Sequence, residues 1–288
     1  MNKILGFSSF LIAAILIGAA TILLLPFFGV RESENFDLSP SERAINRKLK
    51  IESRGEQALN FNLVDPQQAP PQIHEAVRLG YHLILNTPKY ASQYVGDRLS
   101  CTNCHFAGGN TTGGKGGSVS LAGIAAVYPT YNSRKGIVED LPMRINSCFE
   151  RSMNGKPLPP DSPEMVAIVT YLHWISKDMP IYQKISWRGL PDLKTTHKPD
   201  PEQGKHVYEV YCAMCHGTDG LGEIDNHIPP LWGPHSFNDG AGMNIESVLA
   251  AFIYNNMPYP DAGLSAEQAQ DVAAFISHQP RPHFSSQK

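Results

Sequence analysis

Two short runs of the sequence share the pattern Cys-x-x-Cys-His, at residues 101–105 (CTNCH) and 212–216 (CAMCH). In this pattern two thiols can add to the vinyl groups of a porphyrin, and the adjacent histidine supplies an axial nitrogen to the iron. A Cys-x-x-Cys pair alone also fits a thioredoxin-like redox pair or half of a zinc site, but the histidine in both copies favours haem. The sequence therefore predicts two covalently attached haem c groups. The residues assigned to them are the attachment cysteines Cys101, Cys104, Cys212 and Cys215, and the iron ligands His105 and His216.

Each copy of the pattern lies between two predicted helices. The first follows the helical periodicity of 70–88 and precedes a closing helix with Ser162 as N-cap and Pro163 in its first turn. The second follows a predicted helix over 201–211 and precedes a closing helix that Ser265 and Gln268 begin as a capping box. This repeated order predicts an all-α fold with two cytochrome c-like haem domains in tandem, preceded by an N-terminal hydrophobic helix.

The N-terminal hydrophobic helix is predicted from residues 4–30, which carry no charged side chain over 27 positions. A bilayer needs roughly 20 apolar residues, whereas the apolar region of a cleaved signal peptide has about 7–15. The length favours a membrane anchor over a signal peptide cleaved near Ala20, and both predict export. The predicted segments are 1–30 as anchor or signal, 31–64 as linker, 65–180 as the first domain, 181–200 as linker and 201–284 as the second domain.

The second haem requires a sixth ligand, for which methionine is the expected partner of histidine because a thioether stabilises ferrous iron. Met257 lies 41 residues after His216 and immediately before a proline. Met243 lies 27 residues after His216, where core packing is the simpler interpretation. The sequence therefore favours Met257. Bis-histidine ligation would instead use one of His227, His235 and His278.

The first haem has an unusual candidate ligand, because Cys148 is the fifth cysteine of the chain and belongs to neither pattern. It lies 43 residues after His105, close to the spacing of 41 in the second half. A single exported thiol is prone to oxidation unless coordination or chemistry occupies it, and a thiolate ligand would lower the haem potential. A plain His/Met haem stays an alternative. Its possible ligands are four methionines and one histidine: Met143, Met153, Met165, Met179 and His173.

The run MRINSCFERSMNGKPLP at 143–159, placed after CTNCH, resembles the first haem domain of the thiosulfate dehydrogenases. These are dihaem cytochromes c that interconvert thiosulfate and tetrathionate, and the resemblance extends over roughly residues 70–280. It implies that Cys148 is the axial ligand of the active-site haem and that the second haem, ligated by His216 and Met257, passes electrons to an acceptor. It also implies that three side chains line an anion site: Arg134, Arg144 and Ser152. Some members of the family have lysine before this methionine, where this chain has Asn256.

The predicted function is therefore an oxidoreductase that couples two thiosulfate ions into tetrathionate, with the reverse reduction also open. Its predicted partners are thiosulfate, tetrathionate and a periplasmic cytochrome or other electron acceptor or donor. The predicted location is the periplasm, tethered to the inner membrane or soluble after signal cleavage. The alternatives are a dihaem electron carrier without substrate and a sulfur-oxidising cytochrome that conjugates thiosulfate to a carrier protein. A net charge of −3 gives no indication of nucleic-acid binding.

Overall fold

The computed structural model describes residues 63–96, 98–115, 119–133, 135–183, 185, 187–223 and 228–285. The predicted N-terminal helix and nearly all of the first linker lie outside these residues. Among the residues that are described, no helix is long and apolar enough to cross a bilayer.

The described chain is mostly helical, as the sequence predicts, and its first half also contains a small β-hairpin that the sequence did not predict. The elements of the first half are α1 (His74–Leu85), α2 (Thr87–Tyr90), β1 (Thr130–Asn132), β2 (Ile137–Glu139), α3 (Leu141–Ser147), a π-helix (Cys148–Ser152) and α4 (Pro163–Trp174). Those of the second half are α5 (Pro201–Tyr211), α6 (Ala213–His216), α7 (Glu246–Asn256) and α8 (Ala266–Ser277). Short 3₁₀ turns at Cys101–Asn103, Ala107–Gly109, Ile124–Val127 and Gly242–Asn244 connect them.

Both halves are built on a close crossing of their first and last long helices, α1 with α4 and α5 with α8. A glycine permits each close approach. A Cβ atom on Gly80 would lie 2.2 Å from the backbone oxygen of Ala167, and one on Gly204 would lie 1.9 Å from that of Asp271. Since neither distance leaves room for a side chain, glycine sets the separation of the helices in both halves.

The closing helices begin at the predicted caps. The Ser162 hydroxyl accepts a hydrogen bond from Met165 N at 3.2 Å, and the Ser265 hydroxyl accepts one from Gln268 N at 3.2 Å. The Gln268 side chain accepts the reciprocal bond from Ser265 N at 2.9 Å. The two predicted N-termini are therefore confirmed, and each removes an unsatisfied backbone donor from the first turn.

A buried tyrosine in each half holds the chain just after the Cys-x-x-Cys-His run. Tyr171 in α4 is fully buried and donates its hydroxyl to the carbonyl of Gly108 at 2.8 Å. Tyr208 in α5 donates to the carbonyl of Gly217 at 2.6 Å. These bonds connect the helix crossings to the loops that follow the two histidines, and so fix where the runs lie on the core.

The β-hairpin places polar side chains near the π-helix. Strands β1 and β2 are antiparallel, with Thr130 opposite Glu139. Glu139, at the end of β2, is only 2 % exposed. Its carboxylate accepts from Lys135 Nζ at 2.5 Å and from Asn132 Nδ2 at 2.9 Å, which ties the loop of the hairpin to its base. The hairpin is short and mostly exposed, and it departs from the all-α prediction.

Phe106 joins the two halves. It follows His105 directly, and its ring packs at 4.9 Å from the ring of Tyr259 and 6.1 Å from that of Phe252. Both contacts are edge-to-face, the arrangement that aromatic pairs favour. The residue after the first histidine therefore lies against the residues that surround Met257.

Candidate active site

The first Cys-x-x-Cys-His run is anchored to the end of α1 by Thr87, which is fully buried. The Thr87 hydroxyl donates to Leu83 O at 2.8 Å, accepts from Cys101 N at 3.2 Å and lies 3.5 Å from Cys101 Sγ. Its backbone N–H donates to Ser100 Oγ at 3.1 Å. The 3₁₀ turn that carries the first two attachment positions is thus held against the helical core.

Both histidines of the two runs are held in the same way. His105 Nδ1 lies 2.6 Å from Val119 O, and His216 Nδ1 lies 3.0 Å from Pro229 O. A carbonyl oxygen can only accept, so Nδ1 carries the proton and Nε2 is left as the free donor atom for a metal. Burial lowers the pKa of His105 to about 4 and also lowers the pKa of His216, which keeps both rings neutral at pH 7.

The cysteines fit haem attachment better than a redox pair. All five cysteines of the chain lie within the described residues and are free of disulfide bonds. Burial raises the pKa of Cys101, Cys104 and Cys212 to about 12, so these sulfurs stay protonated at neutral pH. Redox-active pairs need a thiolate of lowered pKa, which these surroundings oppose. Together with the two neutral histidines, this donor set fits two haem groups of the c type.

Cys148 lies where α3 continues into the π-helix. Helix α3 begins at Asp140, whose carboxylate accepts from Met143 N at 2.8 Å. Cys148 is the first residue of the π-helix, and the fully buried Phe149 follows it. A π-helix holds one more residue per turn than the α-helix and is found frequently at functional sites. Because Phe149 is fixed in the core, the direction of the neighbouring Cys148 side chain is fixed as well.

Arg144 contacts the sulfur of Cys148 directly. Its Nη1 donates to Cys148 Sγ at 3.1 Å, one helical turn away. The Cys148 sulfur raises the pKa of Arg144. Burial is the main cause of the raised pKa values of Cys101 and Cys104, and Cys148 contributes a smaller increase to both. The Arg144 charge in turn contributes to the lowered pKa of His105. The charges of the fifth cysteine and of Arg144 therefore lie within electrostatic range of the first Cys-x-x-Cys-His run.

A cavity of about 360 Å³ opens beside this contact. Arg144, Arg151 and Ser152 line it, as does Lys135, which is paired with Glu139. Arg134 lies outside the described residues, but its neighbours Ser133 and Lys135 are both in the lining. Sequence reasoning missed several lining residues, which come from the segment before the hairpin, the hairpin itself, α3 and the second half: Tyr128, Glu139, Ser147, Gly240 and Gly242.

The other candidate ligands of the first site lie on the surface or in the apolar core. Met143 is 47 % exposed. Met179 packs with Ala126 and Ile185 in a separate apolar cluster. His173 is an exposed residue in the last turn of α4. Met153 and Met165 are fully enclosed, at 2 % and 1 % exposed.

The second site has two methionines beside one core. Met257 ends α7, with its N–H bonded to Ile253 O at 2.9 Å. Met243 and Met257 both pack against the apolar cluster that includes Val207 and Tyr208, together with the partly buried Cys212. These contacts do not separate the two candidates, and the choice of Met257 stays a prediction. His278 bonds to Ala274 O, His235 is exposed, and His227 lies outside the described residues.

Comparison with protein families divides the chain into two matched regions. Residues 90–181 match the family described as SoxA/TsdA, cytochrome c domain. Residues 199–276 match the family described as cytochrome C oxidase, cbb3-type, subunit III. The prediction of two cytochrome c domains in tandem is confirmed by these matches.

Two similar proteins and one similar solved structure are all named thiosulfate dehydrogenase. The chain is 42% identical over 224 residues to a thiosulfate dehydrogenase of Thiomonas intermedia, covering 75% of this chain and 70% of that protein. It is 37% identical over 215 residues to a thiosulfate dehydrogenase of Allochromatium vinosum, covering 73% and 80%. Among solved structures, thiosulfate dehydrogenase (TsdBA) from Marichromatium purpuratum aligns with a TM-score of 0.73 at 32% identity. That alignment covers 80% of this chain, which spans about half of the TsdBA chain, at 51%.

Proposed function

The chain belongs to the thiosulfate dehydrogenase family, and we propose that it is a dihaem c-type cytochrome that joins two thiosulfate ions into tetrathionate. The relatives' names favour this enzyme over the two alternatives, a dihaem electron carrier and a cytochrome that conjugates thiosulfate to a carrier protein. The observation that carries the proposal is the 3.1 Å contact between Arg144 and Cys148 at the edge of a cavity lined by Arg151 and Ser152.

The residues that would hold the two haems follow from the donor sets. The first haem would be attached to Cys101 and Cys104, and His105 and Cys148 would supply ligands to its iron. The second would be attached to Cys212 and Cys215, and His216 and Met257 would supply ligands to its iron. When bound, the haems supply the one-electron acceptors that the oxidation requires. The Nδ1 bonds of both histidines support this assignment because they leave Nε2 directed away from the protein carbonyls.

The side chains of the cavity would first overcome the repulsion between substrates. Two dianions about 4 Å apart repel by roughly 4 kcal/mol in water, four times the value for unit charges, and by more in a drier cleft. Arg144 and Arg151 supply positive charge in a chain whose net charge is −3. An arginine binds the oxygens of a sulfonate group with two parallel hydrogen bonds. Ser152 offers a further donor, and Arg134 is proposed to line the same site from the hairpin loop.

The proposed bond-forming steps use the Cys148 sulfur. The Cys148 thiolate and the sulfane sulfur of one thiosulfate form an S–S bond with the loss of two electrons, giving a cysteine–thiosulfonate. A second thiosulfate then attacks the outer sulfur of this mixed disulfide, and the Cys148 thiolate leaves. Tetrathionate is the product, and the free thiolate is restored. Arg144, already bonded to the sulfur, would stabilise Cys148 as the leaving thiolate.

The test combines a thiosulfate–ferricyanide assay with electron paramagnetic resonance of the oxidised holoprotein. We expect tetrathionate formation and a low-spin signal of a thiolate-ligated haem beside that of a His/Met haem. Cys148→Gly should remove the thiolate signal and lower turnover by a factor on the order of 1,000 or more, with both haems still attached. Met257→Ala should remove the His/Met signal, whereas the matched control Met243→Ala should keep it. Normal turnover by Cys148→Gly would refute the role of the cysteine.

We also propose an electron acceptor, a cellular location and a membrane anchor for the protein. The electron acceptor is proposed to be a periplasmic cytochrome or another redox protein. The chain is proposed to function in the periplasm, and the apolar run at 4–30 is proposed to tether it to the inner membrane. Fractionation of cells into membrane and soluble periplasmic pools, for the wild type and for a variant in which a cleavable signal peptide replaces residues 1–30, tests the anchor while export is kept.

A further inference from the structure

A loop of the second half contacts the π-helix that carries Cys148. The backbone N–H of Asn238 donates to Arg151 O at 3.2 Å, and its side-chain Nδ2 donates to Glu150 O at 2.9 Å. Asn238 is 4 % exposed, so both bonds are shielded from water. A third bond in the same region runs from Asn154 Nδ2 to Ser236 O.

These bonds satisfy carbonyls that the π-helix cannot satisfy itself. Its first two carbonyls have partners in the first half: Cys148 O accepts from Met153 N at 3.1 Å, and Phe149 O accepts from Gly155 N at 2.8 Å. The next two, on Glu150 and Arg151, accept from Asn238. The last carbonyls of any helix need such outside partners. One residue of the second half therefore supplies donors to two carbonyls of the turn that begins at Cys148.

Asn238 is itself fixed by its own loop and by the C-terminal segment. Its Oδ1 accepts from Gly240 N at 3.1 Å. The neighbouring Asp239 donates its N–H to Pro282 O at 3.0 Å and accepts at Oδ1 from Phe284 N at 2.7 Å. The last described residues of the chain thus hold the loop in place against the first half.

The same segment contacts an arginine of the cavity. The Arg151 guanidinium lies over the ring of Phe284, 4.7 Å from its centre, a distance typical of cation–π pairs. Gly240 lines the cavity and packs on Phe284 so closely that a Cβ atom would lie 2.8 Å from that residue's Cβ. Both the backbone and the side chain of Arg151 are therefore held by the second half.

We propose that Asn238 is a positioning residue for the reaction, through which the second domain sets the geometry of the active site in the first. It holds the π-helix so that the Cys148 sulfur keeps its direction and Arg151 faces the cavity. This inference rests on the proposed function, because it takes Cys148 to be the ligand of the first haem. It assigns the second domain a structural part in the substrate site, in addition to electron transfer.

The test compares Asn238→Ala and Asn238→Asp with the control Asn244→Ala in the full holoprotein. Aspartate keeps the acceptor for Gly240 N and loses the donor to Glu150 O. Asn244 lies in the same half and donates to Asp239 O at 3.0 Å. Both changes at 238 should alter the g values of the thiolate-ligated haem and lower kcat/KM for thiosulfate about five- to tenfold, the cost of misplacing a reacting group by one lost hydrogen bond. The His/Met signal should be unchanged.

The outcomes separate the two proposals. If the wild-type protein has no thiolate-ligated haem, the proposed function fails, whatever the variants do. If that signal is present but Asn238→Asp keeps the g values and kcat/KM of Asn244→Ala, the positioning role is overturned. A fall in the unfolding temperature alone, with the haem signal and kinetics of the wild type, also overturns it, because that result marks an ordinary interface residue.

Discussion

The two halves of the molecule share one frame and differ in what lies about 40 residues after each histidine. Both have a glycine at the helix crossing, a histidine bonded through Nδ1 to a carbonyl, and a serine-capped closing helix. In the first half the later position holds Cys148, with Arg144 one turn before it. In the second it holds Met257, and the corresponding residue one turn before is the buried Ile253.

This difference distinguishes the features that would hold a haem, which both halves share, from the features that would act on a substrate, which only the first half adds. The shared frame is sufficient to place a Cys-x-x-Cys-His run on a helical core. The first half adds a charged contact, a π-helix and a polar cavity, whereas the second half keeps an apolar packing cluster. The proposed roles, a substrate site in the first half and an electron carrier in the second, would therefore depend on α3, the π-helix, the hairpin and the loop of the second half that contacts them.

Among changes that keep the proposed iron ligands, the largest expected effect comes from removing the charge at Arg144, which has no counterpart at Ile253 in the second half. Arg144→Gln removes the charge beside Cys148 and a donor to the substrate anion, and kcat/KM for thiosulfate should fall about 10- to 100-fold, as expected for a charge-assisted hydrogen bond. Steady-state kinetics with ferricyanide measure the loss. Arg78→Gln is the matched control, since Arg78 pairs with Glu75 on the surface of α1. Equal kinetics of the two variants would remove Arg144 from the mechanism.

The next effect tests the shared frame. Gly80→Ala and Gly204→Ala should each lower the free energy of unfolding by about 1–3 kcal/mol, because a Cβ atom forces the crossing helices apart. The loss should be at least as large at Gly204, where the backbone oxygen is nearer. Denaturant unfolding of the holoprotein measures both. Gly263→Ala is the control, since its Cβ would meet only Asp261 O at 3.7 Å, an ordinary contact. Two glycine variants as stable as this control would show that the helix crossings tolerate separation.

The smallest effect concerns the caps. Ser162→Ala and Ser265→Ala should each lower the free energy of unfolding by about 1 kcal/mol, because each leaves a backbone N–H of the first turn without its acceptor. The effect should be larger for Ser162, which is 8 % exposed. Thermal unfolding measures both against Ser277→Ala, whose hydroxyl bonds to Ala274 O at the end of α8 and caps no N-terminus. Identical melting of all three variants would contradict the shared role of the caps.

Local patterns in the sequence were sufficient to predict the helical frame that the two halves share. Each Cys-x-x-Cys-His run and each cap, at Ser162 and Ser265, is encoded by a few consecutive residues, and the tandem order follows from their repetition. The structure confirms the caps, and the family matches confirm the tandem domains. Cys148 was recognisable because it belongs to neither run and its spacing from His105 nearly repeats the spacing in the second half. Arg144 lies four residues before it in the sequence, and the structure brings its guanidinium to the sulfur.

The cavity could not be predicted in the same way, because its walls come from distant parts of the chain. Tyr128 and Gly240 both line it although 112 positions separate them. The hairpin has strands of only three residues, with too little alternation to indicate a sheet. The π-helix has the composition of an ordinary helix and depends on tertiary bonds for its register. Arg134 lies outside the described residues, and its place in the site stays a prediction.

The ring of Phe106 has a mechanical consequence. Phe106 follows His105 directly in the chain, and its ring packs against the ring of Tyr259, two residues beyond Met257. Through this contact, together with the Asn238 bonds to the π-helix, a displacement of one proposed iron-binding segment is expected to move the other. The two proposed haem sites would then be coupled mechanically as well as electronically, and a change of ligand at one is expected to shift the residues around the other.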